Sequence, residues 1–208
     1  MYSLVVRRLS LFAMVLAVAV PLVSQPLAGG EIWWDLMNVA GFIGFGGLLA
    51  LSLASGRSMD VRKHQVFSLI ILAVITLHVL SMTLFESGVR SYLTLSAPHY
   101  MMAGIAGFGL LWLQNILALP ADRNRVHASH RHFRLWHRIL GGAVLGLCVW
   151  HIIGSGFYVN SRLEAGMLVL FVIVSAAVPT MTSSRLPSRW GLLAVIAVAA
   201  CFVGIKQL

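Results

Sequence analysis

His64 and His78 stand fourteen positions apart in the apolar run RKHQVFSLIILAVITLHVL (62–80), and His137 and His151 stand equally far apart in WHRILGGAVLGLCVWHII (136–153). At 100° per residue, fourteen steps bring a side chain round to within about 40° of its starting direction and raise it about 21 Å along the axis. Each stretch, if helical, therefore shows one imidazole near either surface of a bilayer, on roughly one face. Two such helices side by side would form two stacked pairs of imidazoles, the arrangement that two b-type haems on opposite sides of a membrane require. Polar side chains at membrane depth are costly and tend to mark function. The bland alternative is that His64 and His137, close to the helix ends, are merely interfacial.

The elements that must carry these residues follow from composition. The chain has 208 residues, 59% of them hydrophobic and 10% charged, with a mean hydropathy of +0.90. That is too apolar for a water-soluble domain and predicts an all-α, polytopic membrane protein in one domain. Apolar runs lie at 9–27, 36–54, 66–85, 100–119, 136–158, 166–180 and 190–205. They make seven candidate spans, the last two short of the ~20 residues a bilayer needs. The first, after Arg7 and Arg8 and ending in SQPLAGG, also resembles a secretory signal peptide; it is expected to stay as a span, being longer than the usual apolar core of a signal.

The formal net charge of +9 does not point to nucleic acid, because the basic residues are dispersed among short loops. With a cytoplasmic N-terminus, 12 of the 15 Lys and Arg residues fall on the inner side, leaving Arg90, Arg162 and Lys206 outside. This predicts a bacterial-type inner (plasma) membrane location with the C-terminus outside. The third and fifth spans then run parallel, so His64 meets His137 at the inner side and His78 meets His151 at the outer side.

Other residues have humbler readings. Gly41, Gly44, Gly46 and Gly47 in the second span, and AGIAGFG in the fourth, suit close helix approach. GGEIWWD reads as a loop with Trp33 and Trp34 as interfacial anchors. The outer loop ESGVRSYLTLSAPHY concentrates Arg90, Tyr92, His99 and Tyr100, which suit either a solvated loop or contacts to haem propionates or an outer acceptor. His127, His130 and His132 lie among arginines without paired carboxylates, so a lipid-facing or partner-docking role outranks metal. Gly141, one turn beyond His137, leaves room for a flat macrocycle. Cys148 and Cys201 lack any metal-ligand spacing and read as packing residues. No internal repeat is expected beyond the two histidine stretches.

The paired histidine intervals, the LWHRILGG that opens the fifth span and the placement of the ligands on the third and fifth spans resemble the ferric reductase-like transmembrane domain. That superfamily includes ferric reductases, NADPH oxidases and the membrane haem subunit of the bacterial methionine sulfoxide reductase system. The resemblance covers about residues 36–180 and implies a six-helix core, to which the apolar runs add an expected seventh span. It also implies that His64, His78, His137 and His151 are axial ligands of two b haems. The chain departs from the reductases and oxidases in carrying no GxGxxG fingerprint for FAD or NAD(P), so a separate donor is expected, either a cytoplasmic flavoprotein reductase or a quinol, together with an outer-side redox partner. Two other functions fit the residues: a transporter for a metal or small solute lined by the histidines, and a non-redox scaffold subunit whose basic loop recruits a partner.

Overall fold

A computed structural model describes residues 32–53, 61–94, 96–118 and 129–181. They form α1 (Ile32–Leu53), α2 (Val61–Phe85), the short α3 (Ser87–Ser91), α4 (His99–Ala118), α5 (His130–Ser155) and α6 (Arg162–Met181). Among the described residues there is no strand. The runs expected at 9–27 and 190–205 lie outside the described residues, as do His127 and Cys201. Four helices, α1, α2, α4 and α5, are long and apolar enough to cross a membrane. Their outward faces remain apolar, with Leu69, Ile70, Leu77, Ile116, Ile139 and Trp150 all exposed, as expected of surfaces that meet lipid.

The helices extend beyond the apolar runs that announce them. α2 starts at Val61 and α5 at His130, five and six residues before the expected limits. The reason is local: Arg, Lys, His and Gln are tolerated in a helix, so the apolar run marks only the portion able to sit in hydrocarbon. Ser129 caps α5, its hydroxyl accepting from the His132 backbone N–H at 3.3 Å. Gly156, at φ 68°, ends the helix in the left-handed region that glycine adopts without steric cost. Ser161 and Glu164 form a reciprocal cap at the start of α6: the Ser161 hydroxyl accepts from Glu164 N–H at 3.1 Å, and the Glu164 carboxylate accepts from Asn160 N–H and Ser161 N–H. Two sequence expectations are corrected here. Trp33, Trp34 and Asp35 belong to the first turns of α1 rather than to a loop, and part of the expected outer loop is the helix α3.

Packing divides the bundle into two close pairs, α1 on α2 and α4 on α5. Glycines set both contacts. A Cβ at Gly44 or Gly47 would collide with Ile75 or Ile71, so α1 approaches α2 through bare backbone. A Cβ at Gly107 would come 3.3 Å from Leu147 on α5. The pairs join through α2 with α4 and α1 with α5, and α6 packs outside against α1 and α5. α2 and α5 thus stand on one diagonal of a four-helix ring. Among the described residues no Cα of one comes within 8 Å of a Cα of the other. The expectation of two histidine helices side by side is therefore corrected: they face one another across the bundle axis.

The core runs along that axis through Leu49, Ile71, Leu72, Leu111, Val144 and Leu145. Leu49, Ile71 and Val144 are the largest fully buried side chains. Ile71 lies midway between His64 and His78, and Val144 midway between His137 and His151, so an apolar layer separates the two histidine levels.

Candidate functional site

The four sequence-predicted histidines stand at two levels: His64 and His137 meet ring to ring across the bundle, while His78 and His151 rest on the backbones of α1 and α4. The rings of His64 and His137 have centroids 6.1 Å apart with planes at 63°. At that separation one nitrogen of each ring can reach a shared metal ion at about 2 Å, an ordinary metal–imidazole length. His78 and His151 stand at the other end of the same two helices, where Gly41 lies beneath the His78 ring and its neighbour Phe42 packs on Tyr158 just beyond α5. With one histidine pair at each end, α2 and α5 run parallel. The two levels are called inner and outer below, after the orientation expected from the arginines.

The outer rings are held by main-chain carbonyls. His78 Nδ1 lies 2.7 Å from the Met37 carbonyl oxygen, and His151 Nδ1 lies 3.0 Å from that of Tyr100. A carbonyl only accepts, so Nδ1 carries the proton in each ring and Nε2 keeps a free lone pair. This is the outer hydrogen bond that metal-ligating histidines commonly make. The inner level differs. Gln114 Nε2 lies 3.2 Å from His137 Nδ1 and donates to the His137 carbonyl oxygen at 3.3 Å. Phe133 stacks on His137 at 5.4 Å, and His130 on Phe133 at 6.3 Å. The space that the sequence left open beside Gly141 is shared with Gln114, whose Nε2 would lie 3.5 Å from an added Cβ.

Each pair offers two nitrogen ligands, and among the described residues no third His, Cys, Asp or Glu joins either. Two protein ligands are fewer than zinc sites use, but they suffice for iron already held by the four nitrogens of a porphyrin. At each level the two imidazoles offer two nitrogen ligands, the number that a porphyrin iron leaves for the protein to supply.

Of the expected outer-loop contacts, Arg90 and His99 are exposed, while Tyr92 and Tyr100 are half-buried and their side chains interact. The Tyr100 ring lies 6.3 Å from that of His151. His130 and His132 are exposed on the first turn of α5.

A polar contact that the sequence did not suggest ties the outer ends of α1 and α5. Beyond Gly156 the chain lays Phe157 against Trp34, with ring centroids 5.3 Å apart, and Tyr158 against Phe42, at 5.0 Å. The buried Tyr158 hydroxyl donates to Asp35 Oδ1 at 3.3 Å. Burial, with the Asp35 charge adding to it, holds this phenol above the usual tyrosine range. Nothing in the sequence links residues 123 positions apart. Gln114 and the two carbonyls were missed as well, although one signal was present: Ala40–Gly46, AGFIGFG, and Ala103–Gly109, AGIAGFG, place the same pattern of residues within the long helix that precedes each histidine stretch.

No protein-family model, no curated protein and no solved structure matches the chain.

Proposed function

We propose that the chain is the membrane part of a transmembrane electron-transfer system of the ferric reductase-like kind, with His64 and His137 as axial ligands of one b-type haem and His78 and His151 as those of a second. The observation that carries this reading is that His64 and His137 meet across the bundle at one level and His78 and His151 stand at a second level of the same parallel helices, with an apolar layer between the levels. Bound there, haem would supply a one-electron iron couple at each level. The protein's own part is to present Nε2 of the outer imidazoles, to keep both rings from turning, and to exclude water from the layer of Leu49, Ile71 and Val144.

The donor we propose is a cytoplasmic flavoprotein reductase or a quinol. The inner face, where Lys63, Arg131, Arg134 and Arg138 are exposed, suits an acidic protein partner. An outer-side redox partner would meet the end that carries Arg90, Tyr92, His99 and Tyr100. A solute path is the weaker reading, because among the described residues the middle layer is packed with the aliphatic side chains of Leu49, Ile71, Leu72, Val144 and Leu145.

A pyridine haemochrome assay on the purified chain tests the proposal. Two haems per chain and a reduced-minus-oxidised b-type spectrum are expected. A haem-free protein that binds a divalent ion would replace this reading with transport.

A further inference from the structure

The two outer histidines are held by one device used twice. His78 donates from Nδ1 to the carbonyl of Met37, and the residue four positions on is Gly41; His151 donates to the carbonyl of Tyr100, and the residue four positions on is Gly104. A Cβ at Gly41 would lie 3.0 to 3.2 Å from three atoms of the His78 ring, and a Cβ at Gly104 would lie 2.9 to 3.1 Å from three atoms of the His151 ring. Each ring therefore rests on the bare backbone of a neighbouring helix.

Helix geometry explains why glycine is needed at that spacing. A helical side chain covers the turn on the N-terminal side of its own Cα, so the residue at i+4 normally shields the carbonyl of residue i from outside. Without a side chain there, the carbonyl is open to a second donor. It has two lone pairs and can accept from an imidazole while keeping its helical bond. The same AGxxGFG segment supplies the glycine in both helices, so α1 with α2 and α4 with α5 are two copies of one module: a glycine helix followed by a histidine helix.

The likeness ends at the inner level. Gln114, which bonds His137, lies ten residues beyond Gly104, and the matching position beyond Gly41 is Leu51. Among the described residues the His64 ring makes no hydrogen bond.

We infer that Gly41 and Gly104 are positioning residues for the outer metal site: by uncovering the Met37 and Tyr100 carbonyls they hold both outer imidazoles in the Nδ1–H form, with the ring planes set and Nε2 as the ligand atom. The tautomer follows from the chain alone, and only the consequence for iron rests on the two-haem reading. A carbonyl accepting from Nδ1–H makes the imidazole a more basic ligand, which favours ferric over ferrous iron. Gly41→Ala or Gly104→Ala pushes the ring off its carbonyl and weakens that effect at the outer centre alone.

The test uses full-length protein in detergent with 15N-labelled histidine. In the haem-depleted wild type, His78 and His151 are expected as Nδ1–H tautomers, and Gly41→Ala and Gly104→Ala are expected to shift the affected ring toward a mixture. In the haem-loaded protein the same variants raise the midpoint potential of one centre and alter its low-spin ferric EPR signal, which responds to the imidazole planes, while the other centre stays put. Gly146→Ala, where an added Cβ meets nothing within 4 Å, serves as the control that moves neither. An Nε2–H tautomer at either outer histidine in the wild type overturns the inference without any variant. So do unchanged tautomers, or equal shifts at both centres, in the glycine variants. Locked tautomers in a protein that binds no haem would uphold the positioning role and sink the two-haem reading instead.

Discussion

Ile71 and Val144 face the bundle axis from opposite helices, each seven residues from both histidines of its own helix, and both are fully buried. The interior is therefore layered, with imidazoles at each end and close-packed aliphatic side chains between. Ile71 also fills the space over Gly47, which links the layer to the α1 and α2 contact. Ile71→Ala leaves a cavity and is expected to cost about 2 to 5 kcal/mol, read as a lowered unfolding midpoint in detergent. Haem content should stay at the wild-type level, because no ligand or its hydrogen-bond partner is touched.

Removing ligands should separate the two levels. His64→Ala or His137→Ala is expected to leave one haem per chain with the outer signal intact, and His78→Ala or His151→Ala to leave one with the inner signal intact. Haem stoichiometry with difference spectra checks this. Retention of two haems in any of the four variants would contradict the assigned pairs.

Gln114 is expected to act on the inner level only. Gln114→Leu installs the residue type found at the matching place in the first module and removes the amide that contacts the His137 ring and carbonyl. Lost neutral hydrogen bonds are worth about 0.5 to 1.5 kcal/mol each, so the fold should survive. The midpoint potential of the inner centre should move while that of the outer centre does not.

The Tyr158 hydroxyl and Asp35 should clamp the outer ends of α1 and α5 throughout the neutral range. The folded state holds the phenol above its ordinary range, so the stability this brings is fully present below the unfolded tyrosine value of about 10 and is lost as pH rises through the higher folded one. Titration of tyrosinate absorbance should show one phenol ionising late, and Tyr158→Phe should abolish that late step. Tyr158→Phe also removes the hydrogen bond to Asp35 Oδ1, an expected loss of about 0.5 to 1.5 kcal/mol.

Much of the fold was legible because membrane helices announce themselves locally. Five of the expected runs correspond to long helices, and their limits differ because charged flanking residues continue a helix past the hydrocarbon. The matched depth of His64 with His137, and of His78 with His151, followed from equal intervals on helices of equal direction. The diagonal placement of those helices did not, since it depends on which faces interlock, and here the glycines of α1 and α4 draw α2 and α5 to opposite corners.

The amino-acid sequence by itself determined the helical, membrane-spanning character of the chain and the two levels at which imidazoles stand, because hydropathy and the 3.6-residue turn are properties of one segment at a time. Only the tertiary structure decided which atoms complete those levels: the Met37 and Tyr100 carbonyls behind His78 and His151, Gln114 beside His137, and Asp35 beneath Tyr158. Such partners sit on other helices, and a hydrogen bond across a bundle depends on how closely two backbones approach. At Gly41 and Gly104 that closeness comes from a missing side chain, whose effect appears only once a neighbouring ring is seen to occupy the space.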